Sequence, residues 1–261
     1  MNKIRQLRYL TKTFRILILG TLLGKVLHHL DPVTLSKKYW SAYGEDAVVV
    51  GFLNRYKFLS NEELEFSYID IGAFEPKKNN NTYLFYTQGK SGTAVEPNPY
   101  LKKVWKQVRP RDYYLAVACA DETPVNYKLL EIDGESNSTS DKFLKNLSSL
   151  KPHKIKQEFQ VAALSLDHII RLHKQQFSGE FILDLDIEGG DLRVIENSQF
   201  EFGRPFLALI EDTGSLSNNK GKIEKTLNDL NYSLITLVGI TSIYIDNYSK
   251  FYKILSQNKI I

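Results

Sequence analysis

The stretch Phe66-Ser67-Tyr68-Ile69-Asp70-Ile71-Gly72-Ala73 decides the fold. An apolar run ends on an acid followed by a glycine, the pattern of a buried β-strand whose carboxyl end opens toward a ligand in an open α/β sheet. A second strand pattern, Gly92–Glu96, ends comparably in Val95-Glu96-Pro97-Asn98-Pro99. Outward from these, strand-like runs at Tyr113–Cys119, Phe181–Ile187, Pro205–Glu211, Tyr232–Val238 and Thr241–Asp246 alternate with helical patterns at Thr82–Gln88, Pro99–Val108, Leu166–His173, Asp191–Glu196 and Ile223–Leu230. Several of the strands are continuously apolar, which suits burial on both faces of a largely parallel sheet. The alternation predicts a doubly wound α/β architecture. Only Gly239 and Ile240 separate the last two strands, so they pair antiparallel as a hairpin at the sheet edge. Val125–Ile132 adds a short strand, residues 41–57 read as a helix leading into the sheet, and Ser136 to Lys145 reads as a mobile loop over the site.

Composition limits the alternatives. At 261 residues, 43% hydrophobic and 25% charged, with 15 Gly and 8 Pro, the chain is one large domain or one domain with an extension, and it is neither collagen-like nor disordered. Cys119 is its only cysteine, so internal disulfides and zinc clusters fall away, and a reducing, cytoplasmic location is expected. Residues 1–30 hold Lys3, Arg5, Arg8, Lys12, Arg15 and Lys25 and no acid, a local +6 within a whole-chain +4, so the rest sums to −2. A slightly acidic body argues against nucleic acid as a partner.

An acid beside the strand-end glycine, and Glu96 on the next strand, suit a ligand with positive charge and hydroxyl groups. A nicotinamide dinucleotide would want Gly-x-Gly-x-x-Gly for its pyrophosphate. The residues after Gly72 are Ala73-Phe74-Glu75-Pro76-Lys77, bulky and acidic there. S-Adenosylmethionine, with a sulfonium and an amino acid in place of pyrophosphate, fits better.

Asp70-Ile71-Gly72-Ala73, Asn81-Thr82-Tyr83-Leu84-Phe85-Tyr86, Glu96-Pro97-Asn98-Pro99, Arg109-Pro110-Arg111-Asp112 and Asp186-Ile187-Glu188-Gly189 together resemble, in order and approximate spacing over about residues 41–246, the FkbM family of S-adenosylmethionine-dependent methyltransferases. The resemblance implies a seven-stranded, mostly parallel Rossmann-like methyltransferase sheet and, by family habit, methylation of oxygen, often on sugars. It implies that Asp70, Gly72 and Ala73 border the cofactor's amino-acid end, that Glu96 takes its ribose hydroxyls, that Asn81 and Thr82 open the helix beneath it, and that Asp121 lies near the adenine. Two positions depart from the pattern. Ala42 stands where relatives often have Gln, and Asp184 where many have Lys or Ser.

Asp184, Asp186 and Glu188 alternate along the fourth strand, so extended backbone would point all three to one side. Glu211 and Asp212 close the neighbouring strand. Asp186 is the first candidate for general base in methyl transfer and Glu211 the second. Two readings of the acidic cluster stand. Asp186, Glu211 and Asp212 could bind a divalent cation such as Mg²⁺ that holds a sugar hydroxyl; or Glu188 caps the following helix, Asp184 faces solvent and only Asp186 meets substrate. His168 and His173 fall on a helix and read as structural or solvated. The expected function is O-methylation of a sugar or glycan precursor. The alternatives are a non-catalytic cofactor- or partner-binding module and, weakened by the missing glycines, a nicotinamide-dependent oxidoreductase.

Residues 1–40 read as a basic helical arm, and 41–261 as the catalytic domain. In the arm, Leu7, Leu10, Phe14 and Leu17 share one helical face and Arg5, Arg8, Lys12 and Arg15 the other. Its uncharged stretch Ile16–Gly24 is nine residues long, against about 20 for a bilayer span. Residues 3–27 would dock on anionic lipid at the inner face of the membrane, or the helix packs on the body or on a second subunit, or serves targeting. Vesicle sedimentation separates these. If the arm docks on lipid, the full chain pellets with anionic vesicles and a chain lacking residues 1–30 stays in the supernatant; an unchanged profile rejects that role.

Overall fold

The computed structural model describes residues 39–121, 123–130, 137–150, 154–212 and 221–261. The basic arm, apart from its last two residues, lies outside them. The central strands form where the sequence is most continuously apolar. These are β1 (Phe66–Ile71), β8 (Glu180–Leu185) and β9 (Leu207–Glu211), each buried along almost its whole length. With β2 (Gly92–Val95), β3 (Tyr113–Leu115), β10 (Tyr232–Val238) and β11 (Thr241–Asp246), they make a seven-stranded sheet in the order β10-β11-β9-β8-β1-β2-β3. All neighbours are parallel except β11, which runs antiparallel to both β9 and β10.

Alternate side chains leave the sheet on opposite faces, and each face has its own core. Ile69, Ile71, Phe181, Leu183 and Leu185 pack with Leu166, Ile169 and Ile170 of the helix α5 (Leu166–Gln176). Tyr68, Ile182, Leu207 and Leu209 pack on the other face with Val49 and Tyr56 of α1 (Glu45–Ser60) and with Phe251 and Leu255 of α8 (Lys250–Gln257). By the same alternation Asp70 and Asp184 fall on the second face. They are direct neighbours in the β1/β8 register.

Four shorter helices complete the frame. These are α2 (Tyr83–Thr87), α3 (Lys102–Val108), α6 (Asp191–Glu196) and α7 (Lys222–Asp229). The expected strand Tyr113–Cys119 is two pieces. Tyr113–Leu115 is the sheet's edge strand, and with no neighbour on its outer side the chain peels away, so that β4 (Ala118–Cys119) pairs with β7 (Ala163–Leu164) instead. Between them lies an insertion of β5 (Val125–Leu130), α4 (Asp141–Leu150) and β6 (Ile155–Val161), with β5 and β6 antiparallel. Of the loop expected at Ser136 to Lys145, residues 137–140 are irregular, with Asn137, Ser138 and Thr139 bordering the cavity at the strand ends, and the part from Asp141 onward is corrected to a helix. Ser138 bridges to Lys128 of β5 and α4 starts at Asp141. Ser136 lies outside the described residues.

His173 is buried on α5 between the hydroxyls of Ser67 and Thr93, each 2.9 Å from one ring nitrogen. Burial pushes its pKa down to about 3, so it sits in the core as a neutral imidazole.

The crossovers reverse direction between β1 and β8, and there the two strand-end loops touch. Asp186 N–H donates to the carbonyl of Ile71 at 3.0 Å. Gly72 has φ +80°, and a Cβ on it would stand 1.6 Å from the Asp186 carbonyl oxygen. The glycine lets one loop pass the other. Gly72→Ala should therefore cost more than about 3 kcal/mol in urea unfolding, because both the backbone conformation and the contact are lost. A loss below about 1 kcal/mol would show that the two loops can part.

Candidate active site

The strand ends around this switch point enclose a cavity of about 290 Å³. Among the described residues six carboxyl groups line it, those of Asp70, Glu96, Asp184, Asp186, Glu188 and Glu211, and no Lys, Arg or His does. Such a lining favours a cationic ligand.

Asp70 is held from behind. It accepts from Thr82 Oγ1 at 2.5 Å and Asn80 Nδ2 at 3.0 Å, with Arg109 Nη1 at 3.9 Å. Arg109 is 1% exposed and donates to Asp112 Oδ2 at 2.7 Å, Asn80 Oδ1 at 2.9 Å and Thr82 Oγ1 at 2.9 Å. Its guanidinium also lies over the rings of Trp105, Tyr68 and Tyr86. Burial raises the Asp70 pKa, and the guanidinium and the two hydrogen bonds pull it back.

The loop after β1 spends its own donors. Gly72 and Ala73 N–H both donate to the Val95 carbonyl, and Phe74 N–H to Glu96 Oε2 at 2.9 Å. Three successive amides are thus committed where a pyrophosphate would need them. Glu96 also accepts from Asn98 N–H at 2.6 Å and Tyr127 Oη at 3.4 Å. Burial lifts its pKa to about 7 against these hydrogen bonds.

On the other side of the cavity, β8 ends at Leu185 and the alternation expected for Asp184, Asp186 and Glu188 breaks. Glu188 and Gly189 adopt left-handed conformations, φ +55° and +97°. Asp191, rather than Glu188, clamps this turn, accepting from Ile187 N–H at 3.0 Å and Gly189 N–H at 3.2 Å. Asp184 does not face solvent. It is buried, accepts from Asn81 Nδ2 at 3.1 Å, and burial followed by the Asp70 charge pushes its pKa well up. Asp186 and Glu211 share a hydrogen bond, and burial followed by the Asp186 and Glu188 charges pushes Glu211 up to about 12. Glu211 therefore carries the proton.

The profile of the FkbM methyltransferase domain matches residues 70–234. The chain belongs to the FkbM methyltransferase family. Comparison with curated proteins gives no match. Among solved structures, the chain is similar to a TehB-like SAM-dependent methyltransferase from Corynebacterium glutamicum, at 11% identity over 79% of this chain and 89% of that one, with a TM-score of 0.37.

In this FkbM domain, Asp70, Gly72, Ala73, Asn81, Glu96, Asp186 and Glu211 all border the cavity. Thr82 is not among the lining residues and stands behind them, bonded to Asp70 and Asn80. Asp121 is not brought in. Its carboxylate accepts from Arg193 Nε at 2.9 Å and Asn197 Nδ2 at 2.7 Å on and just past α6. Asp212 is not among the lining residues either, and its N–H closes the strand end on the Ile240 carbonyl. Cys119 is buried but also borders the cavity.

Sequence reasoning assigned no role to Asn80, Arg109, Tyr127, Asn137 or Ser138. Arg109 could have been found, since a buried acid at a strand end needs a partner and Arg109-Pro110-Arg111-Asp112 was the one basic family block without a task. Asn137 and Ser138 carried no periodic signal.

The Arg109 network should govern stability. Removing one partner of a buried ion pair costs about 3–5 kcal/mol, and Arg109→Met is expected to fall in that range in chemical unfolding. Arg109→Lys should recover little of it, since an ammonium cannot reproduce the three-way planar donation. Full recovery by lysine would reduce the role to charge alone.

Proposed function

We propose that the chain is an S-adenosylmethionine-dependent O-methyltransferase acting on a hydroxyl of a sugar or glycan precursor. The charge of the cavity carries this reading: six carboxyl groups and no cationic side chain among the described residues, above a loop whose amides are already used. Family membership supports the methyl donor, and the family's habit supports an oxygen acceptor. When bound, the cofactor supplies an electrophilic methyl group on a sulfonium.

The protein's own residues bind and orient. An ionised carboxylate offers about four acceptor positions. In Glu96 the 3.4 Å contact from Tyr127 is the weakest of those filled, and it yields to a ribose hydroxyl. Asp70, fixed by Thr82, Asn80 and Arg109, stays rigid beside Gly72 and Ala73 at the amino-acid end. Asp186 is the base: its Oδ1 has no hydrogen-bond partner and can receive the acceptor's proton, while the protonated Glu211 keeps the carboxylate in place. Positioning supplies much of the remaining acceleration.

Calorimetry with S-adenosylhomocysteine tests the donor. Glu96 binds hydroxyls as the carboxylate, and its pKa is lifted to about 7, so affinity should rise as pH increases from 6 to 8 and level off above. Glu96→Gln should weaken binding about tenfold, or about 1.4 kcal/mol, and flatten that profile. Asp186→Asn should leave binding within about threefold and lower turnover about 10²-fold or more. Failure of the natural chain to bind S-adenosylhomocysteine would sink the proposal.

A further inference from the structure

One oxygen each from Asp186, Glu188 and Glu211 lies within 4.8 Å of the other two. Glu211 is only 6% exposed, yet its Oε2 has no hydrogen-bond partner, and neither has the equally buried Oδ1 of Asp186. Unpaired buried acceptors of this kind cost about 1–3 kcal/mol each, and the two occupy one end of one cavity. Among the described residues no cationic side chain lines the cavity to neutralise them, and Arg109 is engaged with Asp112, Asn80 and Thr82 on the far side of Asp70. The missing partner is a small cation with affinity for oxygen.

We infer that Asp186, Glu188 and Glu211 hold a hard divalent cation, which fixes the acceptor's oxygen at this end of the cavity; the inference rests on the methyl-transfer reading for the acceptor, though not for the cation. Size supports the assignment. Oxygens on opposite sides of a Ca²⁺ ion stand about 4.6–5.2 Å apart, and about 4.0–4.2 Å for Mg²⁺. The three oxygens are at most 4.8 Å apart, within the span that the ligands of one such ion can cover. Three protein oxygens leave coordination positions for water and for the acceptor's hydroxyl, whose proton a bound cation would make easier to remove; the cation would displace the proton that Glu211 holds in its absence, and the Asp186 oxygen that is not a ligand would then take the acceptor's proton. Asp212, which the sequence offered as a ligand, is replaced by Glu188, because the left-handed turn after β8 sets Glu188 beside the other two.

The test uses the full chain stripped with chelator and titrated with Mn²⁺, followed by the paramagnetic resonance of the free ion, with Ca²⁺ and Mg²⁺ as competitors. One saturable site per chain is expected, displaced by both competitors and weakened about tenfold or more in Glu188→Gln and in Glu211→Gln. The half-buried Glu188 makes the first variant the safer one to fold, and S-adenosylhomocysteine binding on the same samples checks that it has. Absence of stoichiometric Mn²⁺ binding to the natural chain, or binding unchanged in both variants, overturns the cation site. If S-adenosylhomocysteine still binds in that case, the methyl-transfer reading stands without the metal; if it fails to bind while Mn²⁺ does, the cation site stands and the donor falls.

Discussion

One guanidinium supports the acid at the head of the sheet. Asp70 and Asp184 are side by side on adjoining strands, buried and of like charge, an arrangement that a protein interior tolerates only with compensation. Arg109 provides it by reaching from the end of α3 beneath Asp70, while Asn80 and Thr82 transmit its donors to the carboxylate. Asp112 then holds Arg109 from the opposite side and ties it to β1 and β2 through Tyr68 Oη and Gly92 N–H. The acid is thus part of a continuous polar seam, and its position is set by six residues of which only Asn80 lines the cavity.

The remaining acids are treated differently. Glu96 is satisfied by backbone amides, Asp184 by Asn81, and Asp186 and Glu211 by sharing a proton. The cavity consequently has a graded interior. Its β2 side is well supplied with donors, whereas its β8–β9 side retains two oxygens with none.

The sheet was legible because its central strands are apolar at every position and its helices are amphipathic, so type and order follow from local pattern. The bounds of β1, β10, β11 and α6 coincide with the sequence reading. What escaped depends on distant partners. Tyr113–Cys119 looks like one strand locally, and only the availability of Ala163–Leu164 pulls its second half away. Helix α4 hides in a Ser- and Asn-rich stretch whose own preferences favour turns. In the site, acids at strand ends were readable as such, but the choice between Asn80 and Asn81 for Asp70 depends on where the loop turns, and Glu188's company depends on a backbone conformation that no alternation rule foresees.

The two walls of the cavity come from opposite halves of the chain. Asn81 and Asp184, which bond across it, are 103 residues apart in sequence, and the Gly72–Asp186 crossing spans a similar interval. A contact of that separation requires both halves of the chain to be present and carries a high loop-closure cost. During synthesis the first half therefore emerges with its charged pocket wall incomplete and no strand on the β8 side of β1 to cover it. Ligand recognition becomes a certificate of finished folding: the chain acquires its binding properties all at once, when β8 slots in beside β1.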